Sequence, residues 1–429
     1  MSMLLMTDDL MNAFERMTTA ATPVPSANSS FPIANLYDRI PSNPFMFGSS
    51  TSDATLDCDL NIVTNGSFEA SSSSVTGWTN ISVAGTALAT STDSSVGTRA
   101  LIVSASSALG DTGGLTQLLP VRASENMCLR ITRHAGAVGS VARFRAQNIQ
   151  TGSYLIDTTS AGLVWSSTAT DLTTLATTSW AEYGSAGAPK TFTIEAMATG
   201  QPELATMNLK IQAYVVATST GAQTALFDEI AVWPAWDFLA VSGHNLTPAI
   251  SLSWQAKTGT SASTSDGTVV GTITAFPQAF YSLAASSHTE RFVRLKFSGT
   301  PASAIYLGEA ILTMSKSPER VFDWGPELEI RETEIRSDVR SYRQTDRPVR
   351  RYVMTFVYPT TSSFVEARDK ILGASANGHF PLVLVPETTE ADVIYGRVDP
   401  AWHVIRDLTN YYRESKLVLQ EMPLPTMIP

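Results

Sequence analysis

Two stretches decide how this chain is read: Asn61-Ile-Val-Thr-Asn-Gly-Ser-Phe-Glu69 and Phe227-Asp-Glu-Ile-Ala-Val-Trp233. They read as the opening segment and the closing strand of one β-domain. Immediately outside them lie Thr55-Leu-Asp-Cys-Asp-Leu60 and Trp236-Asp-Phe-Leu-Ala-Val-Ser-Gly-His-Asn-Leu246. Those two look like consecutive strands of a different β-sandwich, although about 175 residues separate them. One β-domain is therefore expected to sit inside a loop of another.

Working outward, alternation of side chains supplies the strands. Leu56, Cys58 and Leu60 fall on one face and Asp57 and Asp59 on the other, the pattern of a half-buried strand. Between the two deciding stretches, Arg99-Ala-Leu-Ile-Val-Ser, Cys128-Leu-Arg-Ile-Thr-Arg, Val141-Ala-Arg-Phe-Arg-Ala, Thr191-Phe-Thr-Ile-Glu-Ala-Met and Leu209-Lys-Ile-Gln-Ala-Tyr-Val-Val also read as strands. Ser/Thr/Gly turns separate them, and neither a helical period nor a fixed repeat competes. After residue 234, Ile250-Ser-Leu-Ser-Trp-Gln255, Phe292-Val-Arg-Leu-Lys-Phe297 and Ile305-Tyr-Leu-Gly-Glu-Ala-Ile-Leu312 alternate.

The two ends differ from the middle. Asp8 to Met17 carries the apolar spacing of a short helix, with Asp8 as N-cap and Leu10, Met11, Phe14 and Met17 on one face. The Thr/Ala/Pro/Ser stretch after it reads as a linker. This segment is either an arm that packs on a neighbouring subunit or a frayed terminus. Beyond residue 316, Arg336, Arg340, Arg343, Arg347, Arg350 and Arg351 interleave with Glu327, Glu329, Glu332, Glu334, Asp338 and Asp346. The acids nearly cancel the arginines, so nucleic acid is not the expected partner. Salt-bridged subunit contacts and a solvated strand face are the two remaining readings. Ser363-Phe-Val-Glu366 is a capping box opening one helix to about Leu372. The strands expected here are Arg351–Tyr358, Phe380–Val385, Val393–Val398 and Ser415–Glu421.

Composition sets outer limits. A length of 429 residues suits two to four domains. A net charge of −10 argues against a general nucleic-acid binder. No apolar run reaches the roughly 20 residues that cross a bilayer. Met1–Met6 is too short for a signal peptide, and Asp8 and Asp9 follow it, so synthesis and assembly in a host cytoplasm are expected. Cys58 and Cys128, the only cysteines, are then expected to be free buried thiols.

Residues 61–233 resemble carbohydrate-binding modules of the galactose-binding-like jelly-roll type. The likeness rests on Asn65-Gly-Ser-Phe-Glu69, on Gly77-Trp78, and on Phe227-Asp228-Glu-Ile-Ala-Val. It implies a structural calcium held by Glu69 and Asp228, the alternative being that both only accept backbone N–H bonds at strand ends. It also implies a sugar site built on exposed aromatic rings. Trp78, Tyr154, Trp165 and Trp180 are the candidates, with burial in the core as the competing reading for each.

Residues 33–60 with 234–316 resemble the discoidin-like sandwich of many bacteriophage tail proteins. The matching residues are Asn35-Leu36, Asp59-Leu60, Trp236–Leu246, Ser265-Asp-Gly, Arg291-Phe-Val-Arg-Leu and Tyr306-Leu-Gly-Glu-Ala. Residues 317–429 resemble the C-terminal domain that accompanies it in tail and baseplate proteins, on Arg336-Ser-Asp, Arg347-Pro-Val-Arg-Arg, Gly378-His-Phe-Pro-Leu and Asn410-Tyr-Tyr-Arg. His244, within the Gly-His-Asn turn, is a metal ligand or base on one reading. On the other it is a turn side chain bonded to backbone.

No nucleophile elbow, zincin motif, P-loop or dinucleotide fingerprint is present, and no catalytic role is assigned. The expected architecture is mainly β. A discoidin-like β-sandwich (33–60 plus 234–316) carries an inserted jelly roll (61–233). An N-terminal arm or linker (1–32) precedes it and a C-terminal β-sandwich domain with one helix (317–429) follows. The expected role is a non-enzymatic component of a phage virion, at the tail tip or baseplate. It would contact other tail proteins and its own copies in a ring or trimer, and host surface polysaccharide through the jelly roll, without membrane insertion. A free glycan-binding lectin and a capsid or collar decoration are the alternatives.

Overall fold

The structure is a computed structural model. It describes residues 4–7, 22–37 and 43–314, apart from 70–74, 83–87, 107, 122–124, 159–161, 186, 196–206, 218–222, 259–265 and 278. Beyond 320 it describes 321–329, 332–336, 341–345, 349–358, 381–385, 393–398, 404–406, 412–414 and 417–421. The helices expected over 8–17 and 363–372 lie outside the described residues. The fold is mainly β, built of antiparallel sheets, and among the described residues the one helical element is a short 3-10 turn at Ile33–Tyr37.

Two hydrophobic cores occupy the chain between residues 36 and 314. One is drawn from Leu36 to Leu60 and from Ala231 to Leu312, with Cys128 added. It lies between a five-stranded sheet, in the order Thr22–Val24, Asp53–Asp59, Phe292–Gly299, Ile250–Lys257, Thr268–Ile273, and a four-stranded sheet, in the order Ala279–His288, Trp236–His244, Tyr306–Thr313, Phe45–Met46. Asp53–Asp59 shows why: Ala54, Leu56 and Cys58 are buried while the residues between them are not. Thr22–Val24 departs from the linker expected there, pairing Thr22 with Asp57 and Val24 with Thr55. Pro23 is tolerated because the strand is an edge, where a missing N–H costs no ladder bond.

The other core is drawn from Ile62 to Val232. It separates a seven-stranded sheet, containing Thr112–Val121, Ala142–Asn148, Tyr154–Thr158, Gly162–Ser166, Thr173–Leu175 and Met207–Val216, from a six-stranded one containing Ala100–Ala105, Asn126–Ala135, Ala181–Tyr183, Lys190–Thr193 and Gln223–Pro234.

The long strand Gln223–Pro234 feeds both cores. Phe227 points into the second. Strict alternation would then send residues 229, 231 and 233 the same way. A β-bulge between Asp228 and Ala231, with Glu229 at φ 45°, shifts the register by one. Ile230 and Val232 now enter the second core and Ala231 and Trp233 enter the first. The bulge decides which residues of the strand enter which sandwich. Both cysteines are free and buried, and burial raises both thiol pKa values, Cys128 to about 12, so neither is a reactive thiolate at neutral pH.

Ion pairs cross the same seam. Arg291 forks onto Asp59, with Nε–Oδ1 and Nη2–Oδ2 both 2.6 Å, and its Nη1 lies 3.4 Å from Glu229 Oε1. Glu229 Oε2 lies 2.6 Å from Arg130 Nη1, and Arg130 Nη2 reaches Glu182 Oε1 at 2.7 Å. Asn61 Oδ1 accepts the N–H groups of Val63 and Val232, tying entry and exit strands together.

The C-terminal strands form an eight-stranded sheet. Its order is Leu4–Thr7, Pro381–Val385, Ile394–Val398, Leu417–Glu421, Val349–Tyr358, Tyr412–Glu414, Val404–Arg406, with Val321–Glu329 also on Val349–Tyr358. Leu4–Thr7 is thus a strand on this chain's own C-terminal sheet. Val383, Val385, Val393 and Tyr395 pack on Phe238, Ala240, Ala279 and Ile311 of the four-stranded sheet.

Candidate functional site

The four aromatic candidates fall in separate places. Trp78 is corrected to a core residue: it is 8% exposed and lies 5.7 Å from the Phe68 ring, so neither face is free for a sugar. Trp165 is half-buried opposite the core residue Leu155, 6.3 Å from Phe192, with its indole N–H donated to Thr193 O. Trp180 stands edge-on to His134 at 4.3 Å and donates to Asp93 Oδ1. Only Tyr154 belongs to the outer face of the seven-stranded sheet, where it sits opposite Gln147.

That face is built by alternation. In Ala142–Asn148 the even positions are buried, leaving Arg143, Arg145 and Gln147 outward. In Met207–Val216 the partners opposite them are Tyr214, Gln212 and Lys210. In Thr112–Val121, Thr116 and Leu118 continue the row, and Leu118 is 58% exposed. Asp171 reaches in beside Thr173–Leu175: Oδ2 accepts from Arg143 at 2.7 Å, and Oδ1 accepts from Arg145 at 3.1 Å and from the Tyr214 hydroxyl. The Arg145 guanidinium lies 5.8 Å from the Tyr154 ring centre and 5.3 Å from that of Tyr214. Burial and the Asp171 carboxylate raise the Tyr214 pKa, so it stays a neutral donor. The result is a fixed polar face with one half-exposed ring, one exposed leucine and several amide and guanidinium donors. Such a surface suits hydroxyl-rich ligands, whose C–H faces pack on rings and whose hydroxyls meet donors. Sequence reasoning named Tyr154 and did not single out the other residues of this face. The Arg-Phe-Arg alternation inside Val141–Ala146 was the available signal.

Glu69 and Asp228 converge on one loop. Glu69 Oε1 accepts the N–H groups of Thr98 and Arg99 at 2.7 and 2.8 Å, and Oε2 accepts the Thr98 hydroxyl at 2.7 Å. Asp228 Oδ2 accepts the N–H groups of Ser95 and Val96 at 2.9 and 2.8 Å, and Oδ1 accepts that of Glu229 at 2.8 Å. Gly97, at φ 73°, lets the loop close over Glu69, because a Cβ there would fall 2.3 Å from Glu69 Oε1. Asp228 is fully buried. Burial raises its pKa, the N–H bonds from Val96, Ser95 and Glu229 oppose the rise, and the like charge of Glu69 adds to it. A buried carboxylate beside another is a donor pair that fits a hard cation in charge and type. Among the described residues no group of three acidic, His or Cys side chains gathers at one point.

His244 is held by backbone on both ring nitrogens: Nε2 lies 2.7 Å from Pro277 O, and Nδ1 accepts the Leu246 N–H at 3.2 Å. These bonds require the neutral ring, and burial lowers its pKa. A lowered folded-state pKa means that the unfolded chain takes up the proton first. Stability is therefore expected to fall as pH drops below the ordinary histidine range near 6.5. Thermal melts from pH 7.5 to 5 check this. His244→Gln should flatten that part of the profile, and an unchanged slope would refute the assignment.

The arginine series divides. Arg336 and Arg343 lie on the hairpin Glu332–Arg336/Ser341–Thr345, and Arg350 and Arg351 lie on Val349–Tyr358. Register sets Arg343 opposite Glu334 and Arg351 opposite Glu327. Arg340 and Arg347 lie outside the described residues.

No family model and no curated protein matches the chain. Among solved structures, it is similar to the CBM22-1 xylan-binding domain from Paenibacillus barcinonensis Xyn10C, at 11% identity over 39% of this chain and 91% of that one, TM-score 0.25. It is similar to TmCBM61 in complex with β-1,4-galactotriose at 12% identity, over 41% of this chain and 98% of that one, TM-score 0.24. The enzymatically active domain of bacteriophage CBA120 tailspike protein 4 gives 13% identity, over 41% of this chain and 21% of that one, TM-score 0.26. These are partial likenesses, and the function rests on the chain's own geometry.

Proposed function

We propose that this protein is a non-catalytic glycan-binding component of a bacteriophage virion, at the tail tip or baseplate. The binding part rests on one observation: the outer face of the seven-stranded sheet, where Tyr154, Gln147, Gln212, Arg145 and Leu118 share one surface. The virion part rests on the sequence resemblances of residues 33–60, 234–316 and 317–429. In this reading the eight-stranded C-terminal sheet anchors the protein among other tail proteins and its own copies. The face of the seven-stranded sheet meets host surface polysaccharide, weak single contacts being multiplied by copy number.

The test is binding of the full chain to a glycan array and to host cells. Tyr154→Ala is expected to weaken binding by about tenfold, the loss of roughly 1.4 kcal/mol when one stacking ring is removed. A folded protein that binds no glycan and no host cell sinks the binding part. Absence of the protein from purified particles, read by mass spectrometry, sinks the virion part.

A structural calcium belongs to the same proposal. Glu69 and Asp228 would hold it, and it would supply a positive charge beside the buried Asp228 carboxylate. The chain's own part is to pin residues 95–99 through the N–H bonds already described. EDTA is expected to lower the melting temperature by several degrees, since a site filled at a hundred times its Kd contributes about 2.7 kcal/mol. Identical melts with and without EDTA would leave the two carboxylates as a loop clamp alone.

A further inference from the structure

Resting on the glycan reading, we propose that the outer face of the seven-stranded sheet selects acidic polysaccharides, those bearing carboxylate or sulfate groups, over neutral ones. The observation is a local reversal of charge. The chain as a whole carries −10. On this face the outward positions of Thr112–Val121, Ala142–Asn148, Tyr154–Thr158 and Met207–Val216 include Arg143, Arg145 and Lys210 and no acid. Asp157, on the same run as Tyr154, has the opposite parity, and its carboxylate is held by Tyr183 and Lys190 at the sandwich edge. The one carboxylate that reaches the face among the described residues is Asp171, and three cations stand against it.

The chemistry of those cations sharpens the inference. Asp171 takes one N–H from each arginine, leaving both forks only partly used, while a guanidinium carries five donors. Each guanidinium side chain is 28% exposed and Asp171 only 10%. A ligand approaching the face therefore meets the cationic edges before the carboxylate. Asp171 also orients the forks: anchored by the Tyr214 hydroxyl, it holds two planar groups side by side along one strand, roughly 6.6 Å apart at the backbone. Planar forks held in place match carboxylate and sulfate oxygens better than hydroxyls do. Lys210, opposite Gln147 on the neighbouring strand, extends the positive row. Leu118, opposite Lys210 on its other side, and Tyr154 supply apolar contacts for the sugar rings. A nucleic acid would be attracted by the same charges. It would also feel the −10 of the whole chain, and the face offers one half-exposed ring rather than a row of stacking platforms.

The full chain is titrated with polygalacturonate and alginate (carboxylate), dextran sulfate (sulfate), dextran and xylan (neutral), and duplex DNA, at low and at moderate salt. The expected result is binding to acidic polysaccharides at least tenfold tighter than to neutral ones, weakening as salt rises. Lys210→Gln should weaken acidic-glycan binding about fivefold and leave any neutral-glycan binding unchanged, and Arg145→Gln should weaken acidic-glycan binding more than neutral-glycan binding. Lys210→Gln removes no bond to Asp171 and serves if Arg145→Gln disturbs folding. The carboxylate and sulfate arms show which group is read. Equal affinity for neutral and acidic glycans overturns the selectivity and leaves the glycan reading standing. DNA bound as tightly as the best acidic polysaccharide overturns it in favour of charge alone. A folded protein that binds no polysaccharide overturns both.

Discussion

Arg291→Ala is expected to destabilise the protein by about 3–5 kcal/mol, seen as a large fall in the denaturant midpoint. Arg291 stands between Asp59, at the end of a strand of the first sandwich, and Glu229, at the bulge of the second. The Glu229 side chain is 3% exposed and shares its other oxygen with Arg130, also 3% exposed. Removing the guanidinium leaves Asp59, whose side chain is 18% exposed, without its fork, and leaves the buried Glu229 with one cation instead of two. The cost is mainly that of uncompensated buried carboxylate rather than a lost attraction. Asp59→Asn combined with Arg291→Gln, which removes both charges of the fork, should cost markedly less than Arg291→Ala alone. A loss below about 1 kcal/mol for Arg291→Ala would mean that water enters the seam and carries the charges.

Trp236→Ala is expected to cost about 3–5 kcal/mol, the range for emptying a large aromatic site in a core. Trp236 is fully buried two residues after the strand that serves both cores. Its ring lies 5.4 Å from Trp254 and stacks on His288 at 4.6 Å, and its indole N–H donates to Glu290 O at 2.9 Å. Truncation opens a cavity, deprives Trp254 of a partner, and strands a buried carbonyl that the indole satisfied. Trp236→Phe should recover most of the packing and none of the hydrogen bond. An alanine variant within 1 kcal/mol of wild type would show that the first sandwich repacks around the hole.

The all-β character was legible because period-two alternation is a local property. Leu56, Cys58 and Leu60, or Ala142, Phe144 and Ala146, declare a buried face without any knowledge of what covers it. Thr22–Val24 and Leu4–Thr7 were not legible as strands. Both are short edge strands, one containing a proline, and their pairing is decided by partners more than 30 and 370 residues away. The aromatic candidates show the same limit. Type and spacing name a tryptophan, and burial decides its use. Trp78 is closed in against Phe68, whereas Tyr154 shares a face with residues from three other strands.

By itself the sequence determined which residues face inward along the alternating strands and that the fold is mainly β. These follow from side-chain chemistry at fixed local spacing. Only the tertiary structure decided that Asp171 bridges Arg143 and Arg145, that the Glu69 and Asp228 carboxylates grip residues 95–99, and that a one-residue bulge at Asp228–Ala231 turns Trp233 from one core into another. Each of these brings together residues far apart in sequence, and along the strands that take part a shift of one residue would reverse the side chains.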